Sequence, residues 1–332
     1  MARWRPRSVP PGNKGSNRPP KLLEPGGMRK RTNALSAAAV IVMGALFAGP
    51  GLAQDRDGSK PPAIEPDVVY GHKDGLAMTM DIYRPAGRAN QAAILFMVSG
   101  GWYSRWAPPE QARPLLQPYL DAGYTVFAVR HGSSPRYAIP EAVSDVRQAV
   151  RFVRKHAARF QIDASRLGVL GMSAGGHLSL MLGTTGDDGD PDAKEELGQV
   201  SSRVAAVAAL VPPTDLRVVV WASPDSLPAY RNFPALDLAM DLAEANSPLV
   251  HVTPDDAPSL VIMGGKDDLV PAKHGRWIDE ALENAKVPHK LIVFPDAGHG
   301  LEGDENRATL VREVVGWFDQ LLTPRQGGDP GR

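Results

Sequence analysis

Residues Gly168–His177 read GVLGMSAGGH, a single serine set among four glycines. Before it, Arg166–Leu170 is a mostly apolar run that reads as a strand. After it, Ala174–Gly183 reads as a helix. A strand that turns straight into a helix around Gly-x-Ser-x-Gly holds its serine in a strained backbone, with the hydroxyl standing clear of the sheet. Gly171 and Gly175 flank the serine because a Cβ at either would collide across the tight turn, and Gly176 lets the helix pack close. The helix N-terminus below the serine offers free N–H groups and a positive dipole end to a developing oxyanion. Ser173 is therefore the candidate nucleophile.

A serine nucleophile needs a base, and the base needs an orienting carboxylate. Of eight histidines, His299 lies in FPDAGHGLEG, in a glycine-flanked loop just after the last predicted strand. The others read as structural or surface residues: His72 in a hairpin, His156 on a polar helix face, His177 inside the helix after the serine, His274 and His289 near exposed turns. His131 and His251 do not follow the final strand. The acid comes from SLVIMGGKDDLVP at 259–271. The spacings from Gly264 and to Pro271 favour Asp267 over Asp268. Successive residues of an extended turn point different ways, so only one faces His299, and Asp268 is expected to meet solvent or cap the following helix. The loop VSGGWYSRW at 98–106 supplies the remaining part. Gly100 and Gly101 let backbone approach a carbonyl group, so the oxyanion donors are expected from Ala174 and from Gly101 or Trp102. Trp102, Tyr103 and Trp106 either wall an acyl or aromatic pocket or pack beneath a covering segment.

Outward from the serine, short apolar runs alternate with helical patterns. Val68–Tyr70 and Leu76–Tyr83 read as a hairpin around HKDG. Ala92–Val98, Thr125–Arg130, Val204–Val211, Ser259–Met263 and Lys290–Phe294 read as buried strands. Glu110–Ala122, Pro140–Phe160, a stretch ending at Leu282, and Arg307–Leu322 read as helices. This alternation predicts an α/β fold with a mainly parallel central sheet flanked by helices. Asp187–Ser202 is an acidic, glycine-rich loop. Residues 214–247 have no clean period and fall between two core strands, which predicts a short cap insertion above the carboxyl edge of the sheet.

Lys plus Arg equals Asp plus Glu, so no net basic field points to nucleic acid. The absence of cysteine excludes disulfides, thiolate metal sites and cysteine nucleophiles. No metal-ligand spacing, phosphate loop or nucleotide fingerprint appears, so the chemistry is expected to need no metal and no cofactor. Residues 1–27 are rich in Arg, Pro and Gly and read as an extension ahead of the true start at Met28. Residues 28–53 read as a signal peptide, with basic Arg29–Arg31, an apolar stretch from Ala34 to Ala48 and the small-residue site Gly51-Leu52-Ala53. Export to the periplasm or medium follows, with no stable membrane anchor after cleavage. Residues 54–66 read as a linker, 67–323 as the catalytic domain and 324–332 as a disordered tail.

From about Val68 to Leu322 the chain resembles the α/β-hydrolase superfamily, within its esterase and lipase branch. The resemblance rests on SGGW at Ser99–Trp102, SAGGH at Ser173–His177, KDDLVP at Lys266–Pro271 and AGHG at Ala297–Gly300. It rests also on Val129–Ala157, where a strand and an Arg lead to a Pro and a helix bearing Asp145. The order Ser173, Asp267, His299 is the chain order of these enzymes. Ser99 departs from the HGGG pattern of hormone-sensitive-lipase-like esterases, and the SGGW form resembles exported feruloyl and acetyl-xylan esterases. The resemblance implies a serine carboxylesterase working through an acyl-enzyme, with a small-molecule or carbohydrate ester as its partner. Two alternatives stand beside it. One is a prolyl-oligopeptidase-like peptidase, which shares the triad order but usually carries a β-propeller that residues 54–90 leave no room for. The other is a non-catalytic binding protein of the same fold, which typically lacks a triad member.

Overall fold

The computed structural model describes residues 64–323. The extension, the signal peptide, residues 54–63 of the linker and the tail lie outside the described residues. The last part of the expected linker is strand, because β1 (Ile64–Lys73) begins at Ile64. It pairs antiparallel with β2 (Leu76–Tyr83). The sheet continues with β3 (Ala93–Met97), β4 (Thr125–Val129), β5 (Leu167–Met172), β6 (Ala206–Leu210), β7 (Ser259–Gly264) and β8 (His289–Phe294). The strand order is β1-β2-β4-β3-β5-β6-β7-β8. β2 runs antiparallel to both of its neighbours, and every pairing from β4 through β8 is parallel.

The continuous apolar runs follow from burial on both faces of the sheet. Along β3, Ala93, Leu95 and Met97 point into one core, and Ile94 and Phe96 into the other. In β4, Phe127 and Val129 join the first core, and Val126 and Ala128 the second. The first core is roofed by α2 (Ile139–Lys155), α4 (Ala174–Thr185) and α6 (Lys273–Ala285), and the second by α1 (Pro109–Asp121) and α7 (Asp304–Leu322).

The helix expected over Pro140–Phe160 is two helices. α2 closes at His156, whose backbone turns to φ −103° and ψ 20°, and the single turn α3 (Ala157–Phe160) follows. The break seats Phe160 edge-on against Phe127 with ring centroids 5.1 Å apart. The loop 187–202 contains a short 3-10 turn, Glu196–Gln199. The insertion 214–247 holds 3-10 turns and the short α5 (Met240–Ala245).

A tight turn with Ser173 alone between the two elements joins β5 to α4. A Cβ on Gly171 would stand 2.3 Å from the Gly175 carbonyl oxygen, a backbone atom with no freedom to retreat. Gly171→Ala is therefore expected to cost about 1–3 kcal/mol, or to prevent folding, as overpacking against fixed neighbours does. Chemical denaturation checks this, and an unchanged midpoint would contradict the packing.

Candidate active site

Three loops leave the carboxyl ends of β5, β7 and β8 and meet. Ser173, directly after β5, has φ 55° and ψ −120°, and its N–H donates to the Leu210 carbonyl at 2.8 Å. His299 follows β8. Its Nε2 lies 2.9 Å from Ser173 Oγ, and its Nδ1 lies 2.7 Å from Asp267 Oδ2. An ionised carboxylate only accepts, so Nδ1 carries the ring proton and Nε2 accepts from the serine hydroxyl. Asp267, beyond β7, is buried, and its other oxygen accepts from the N–H groups of Leu269 at 2.9 Å and Val270 at 2.8 Å. Of the two places expected for Asp268, solvent or a helix cap, it takes the first: it is exposed, and α6 begins at Lys273 with no side-chain cap.

The histidine loop is held on both sides. Glu302 accepts from Gly298 N–H at 3.0 Å and from Gly300 N–H at 3.1 Å, bracketing His299. The Lys266 N–H donates to the Ala297 carbonyl at 2.9 Å, which joins this loop to the acid turn. Sequence reasoning missed Glu302. Its only trace is an acidic residue closely following the glycine-flanked histidine.

The 98–106 loop makes a two-residue turn. Gly100 and Tyr103 exchange backbone hydrogen bonds at 3.0 Å, and Gly101 and Trp102 between them take φ of +58° and +57°. A Cβ on Gly101 would lie 2.5 Å from the Phe233 ring, so the insertion packs directly on this turn. A Cβ on Gly175 would lie 2.7 Å from the Met97 carbonyl oxygen, which sets the first turn of α4 against the start of the same loop. Ala174, Gly101 and Trp102 thus sit on adjoining elements. Their side chains do not share one role, however. The Trp102 indole, expected either to wall a pocket or to pack beneath a covering segment, is buried, and its N–H donates to His177 Nδ1 at 3.1 Å. Tyr103 and Trp106 are about half exposed.

Ser99 is buried and donates to His131 Nε2 at 2.8 Å, while His131 Nδ1–H donates to the Gly132 carbonyl at 2.8 Å. Ser133 Oγ accepts from Ser104 N–H at 2.9 Å. Behind this lies a buried charge network. Asp145 accepts from Gly132 N–H at 2.8 Å and pairs with Lys73, and Arg130 is bidentate on Asp81. The loop after β3 therefore rests on the loop after β4, a pairing of residues distant in the chain that no local pattern announces.

Among the described residues no group of His, Cys, Asp and Glu is arranged to hold a metal ion, and no helix is long and apolar enough to cross a membrane. His274, expected near an exposed turn, is fully buried, and its Nδ1 accepts from Thr214 N–H at 3.2 Å. Burial pushes both His177 and His274 down to about 4. In the unfolded chain both return to the ordinary value near 6.5, so between those pH values the unfolded state binds more protons than the folded one. Stability is then fully present above pH ~6.5 and is lost as pH falls toward 4, at about 1.4 kcal/mol per pH unit for each histidine. Denaturant midpoints at pH 7, 6 and 5 should fall in that order, with a shallower slope in His274→Gln. A midpoint that is flat or rises toward acid would contradict this.

The BD-FAE family model matches residues 80–282. A Mycobacterium tuberculosis protein named probable carboxylic ester hydrolase LipM is 27% identical over 280 residues, covering 81% of this chain and 64% of that one. The chain therefore spans a little under two thirds of that relative. Among solved structures, an acetyl ester-xyloside bifunctional hydrolase from Caldicellulosiruptor lactoaceticus superposes with a TM-score of 0.65 at 22% identity, covering 80% of this chain and 98% of that one. A thermophilic esterase of Thermogutta terrifontis with butyrate bound gives 0.64 at 24% identity, covering 81% and 98%. At these identities the two structures establish the α/β-hydrolase fold.

Proposed function

The chain belongs to the BD-FAE family, and from that premise we propose that it is a carboxylic ester hydrolase whose nucleophile, base and acid are Ser173, His299 and Asp267. The observation that carries this reading is the unbroken hydrogen-bonded line from Ser173 Oγ through His299 to the buried Asp267 carboxylate. His299 Nε2 takes the hydroxyl proton as Oγ bonds to the ester carbon, and the carbonyl π pair moves onto oxygen. The N–H groups of Ala174 and of Gly101 or Trp102 receive that oxyanion. When the tetrahedral adduct collapses, the ester C–O bond breaks and the alkoxide takes the proton from Nε2. Water then gives a proton to Nε2 and attacks the acyl carbon, and Ser173 Oγ leaves with that proton. Asp267 holds the tautomer and stabilises the imidazolium without being protonated. Tyr103 and Trp106, on the loop that bears the Gly101–Trp102 turn, are about half exposed and leave aromatic surface for an aryl or sugar partner. They support an acetylated or feruloylated carbohydrate as the ester.

Hydrolysis of p-nitrophenyl acetate, methyl ferulate and acetylated xylan tests this. Ser173→Ala is expected to lower kcat by about 10⁴–10⁶. Asp267→Asn should lower it by up to about 10⁴ with the fold retained, while Asp268→Asn should leave it near normal. Near-native activity in Ser173→Ala would overturn the assignment, as would preference for an aminoacyl-prolyl amide over every ester. Loss of activity in Asp268→Asn with Asp267→Asn active would move the acid by one residue.

Met28–Ala53, outside the described residues, is proposed to direct export, with the mature chain starting at or near Gln54. N-terminal sequencing of protein from its native host checks this, and a cytoplasmic chain retaining that segment would contradict it.

A further inference from the structure

We propose that His177 is a positioning residue that locks the Gly101–Trp102 turn to the helix carrying Ala174, so that one imidazole joins the two halves of the oxyanion site. The inference rests on the ester-hydrolase reading above.

His177 lies in the first turn of α4, and its backbone N–H donates to the Ser173 carbonyl at 2.9 Å. The ring is completely buried. Its Nε2 is 2.7 Å from the carbonyl oxygen of Asn246, which only accepts, so Nε2 carries the proton. Its Nδ1 is 3.1 Å from Trp102 Nε1, which only donates, so Nδ1 is the acceptor. Both partners thus demand the same neutral tautomer. The indole also meets the imidazole edge-on, with ring centroids 5.3 Å apart.

Trp102 needs such an anchor. A bulky residue at φ +57° occupies a strained region that glycine or asparagine normally takes in a two-residue turn. The Trp102 carbonyl accepts from Ser134 N–H at 3.0 Å, which fixes one peptide plane. The side chain is fixed by His177. Without that bond the turn can relax toward negative φ at Trp102, which rotates the Trp102 N–H away from the position the oxyanion needs. His177 therefore acts through Trp102, not on the substrate.

Two substitutions separate the two ring nitrogens. Asparagine places its Oδ1 near the Nδ1 position, so His177→Asn keeps an acceptor for the indole and loses the bond to Asn246. Glutamine places its amide nitrogen near the Nε2 position, so His177→Gln keeps the bond to Asn246 and loses the acceptor. Both replace a buried ring with a smaller amide, and a merely structural role predicts equal effects on kcat. The expected result is a kcat lowered by about 10- to 100-fold in His177→Gln with KM within about threefold, and a kcat within about threefold of the parent in His177→Asn. Trp102→Phe, which leaves His177 in place and removes the indole N–H together with part of the ring, should lose at least as much kcat as His177→Gln, and it decides the matter should the His177 variants not fold. Equal kcat in His177→Gln and His177→Asn, or parental kcat in Trp102→Phe, would overturn the proposal. Ser173→Ala, assayed alongside, reports on the underlying reading: if it is inactive while His177→Gln is not, only the positioning role fails.

Discussion

A serine backbone at φ 55° and ψ −120° is not a conformation that a chain adopts freely, and the site is arranged around holding it. β5 brings Ser173 to the junction, the Leu210 carbonyl takes its N–H, and α4 starts at once on the other side. The turn closes only because Gly171 and Gly175 let backbone touch backbone. A hydroxyl raised this way stands at the carboxyl edge of the sheet. Any partner must then come from loops that leave neighbouring strands at the same edge. The parallel pairing of β5 through β8 places the loops after β7 and β8 there.

The second demand is electrostatic. Asp267 is buried, and a buried carboxylate is tolerated only when its oxygens are satisfied. Two backbone N–H groups of its own turn and the His299 ring provide this. The same bonds aim the imidazole. Glu302 does for the histidine loop what the Leu269 and Val270 N–H groups do for the acid turn: it converts a flexible glycine-rich stretch into a loop with fixed ends. Fixing the donors and acceptors in advance lets such a site act on developing charge without first reorganising.

What the sequence makes legible follows from how local each constraint is. The elbow announces itself within ten residues, because its glycines, strand and helix are all contiguous. The strands are legible because burial on both faces demands unbroken apolar runs, as in Ala93–Met97. His299 and Asp267 are found through chain order and position after strands. Other features depend on contacts between distant residues, which no window contains. The pairs Trp102 with His177, Ser99 with His131 and Tyr230 with Leu269 all belong to this kind. His274 reads as a structural or surface residue near an exposed turn, yet α6 turns it inward to meet Thr214. The break at His156 is invisible for a similar reason: helical propensity continues through it, and Phe160's packing against Phe127 decides where the chain bends.

The insertion 214–247 is the least periodic part of the chain, and its contacts explain why it has no period of its own. It is shaped by what it touches. Phe233 lies against Gly101, the Tyr230 hydroxyl donates to the Leu269 carbonyl at 2.8 Å, and the Asn246 carbonyl accepts from His177 Nε2–H. Internally it is pinned by the Trp221 indole on the Tyr230 carbonyl and by Arg231 stacked 5.3 Å from the Trp221 ring centroid. One segment thus reaches the 98–106 turn, the acid turn and the helix behind Ser173. A cover tied at three such points cannot lift as a unit without releasing the part-buried Tyr230–Leu269 bond and the buried His177–Asn246 bond, and a buried partner left unmade is costly. The cap expected from its place in the chain is therefore also a brace that spaces the loops beneath it.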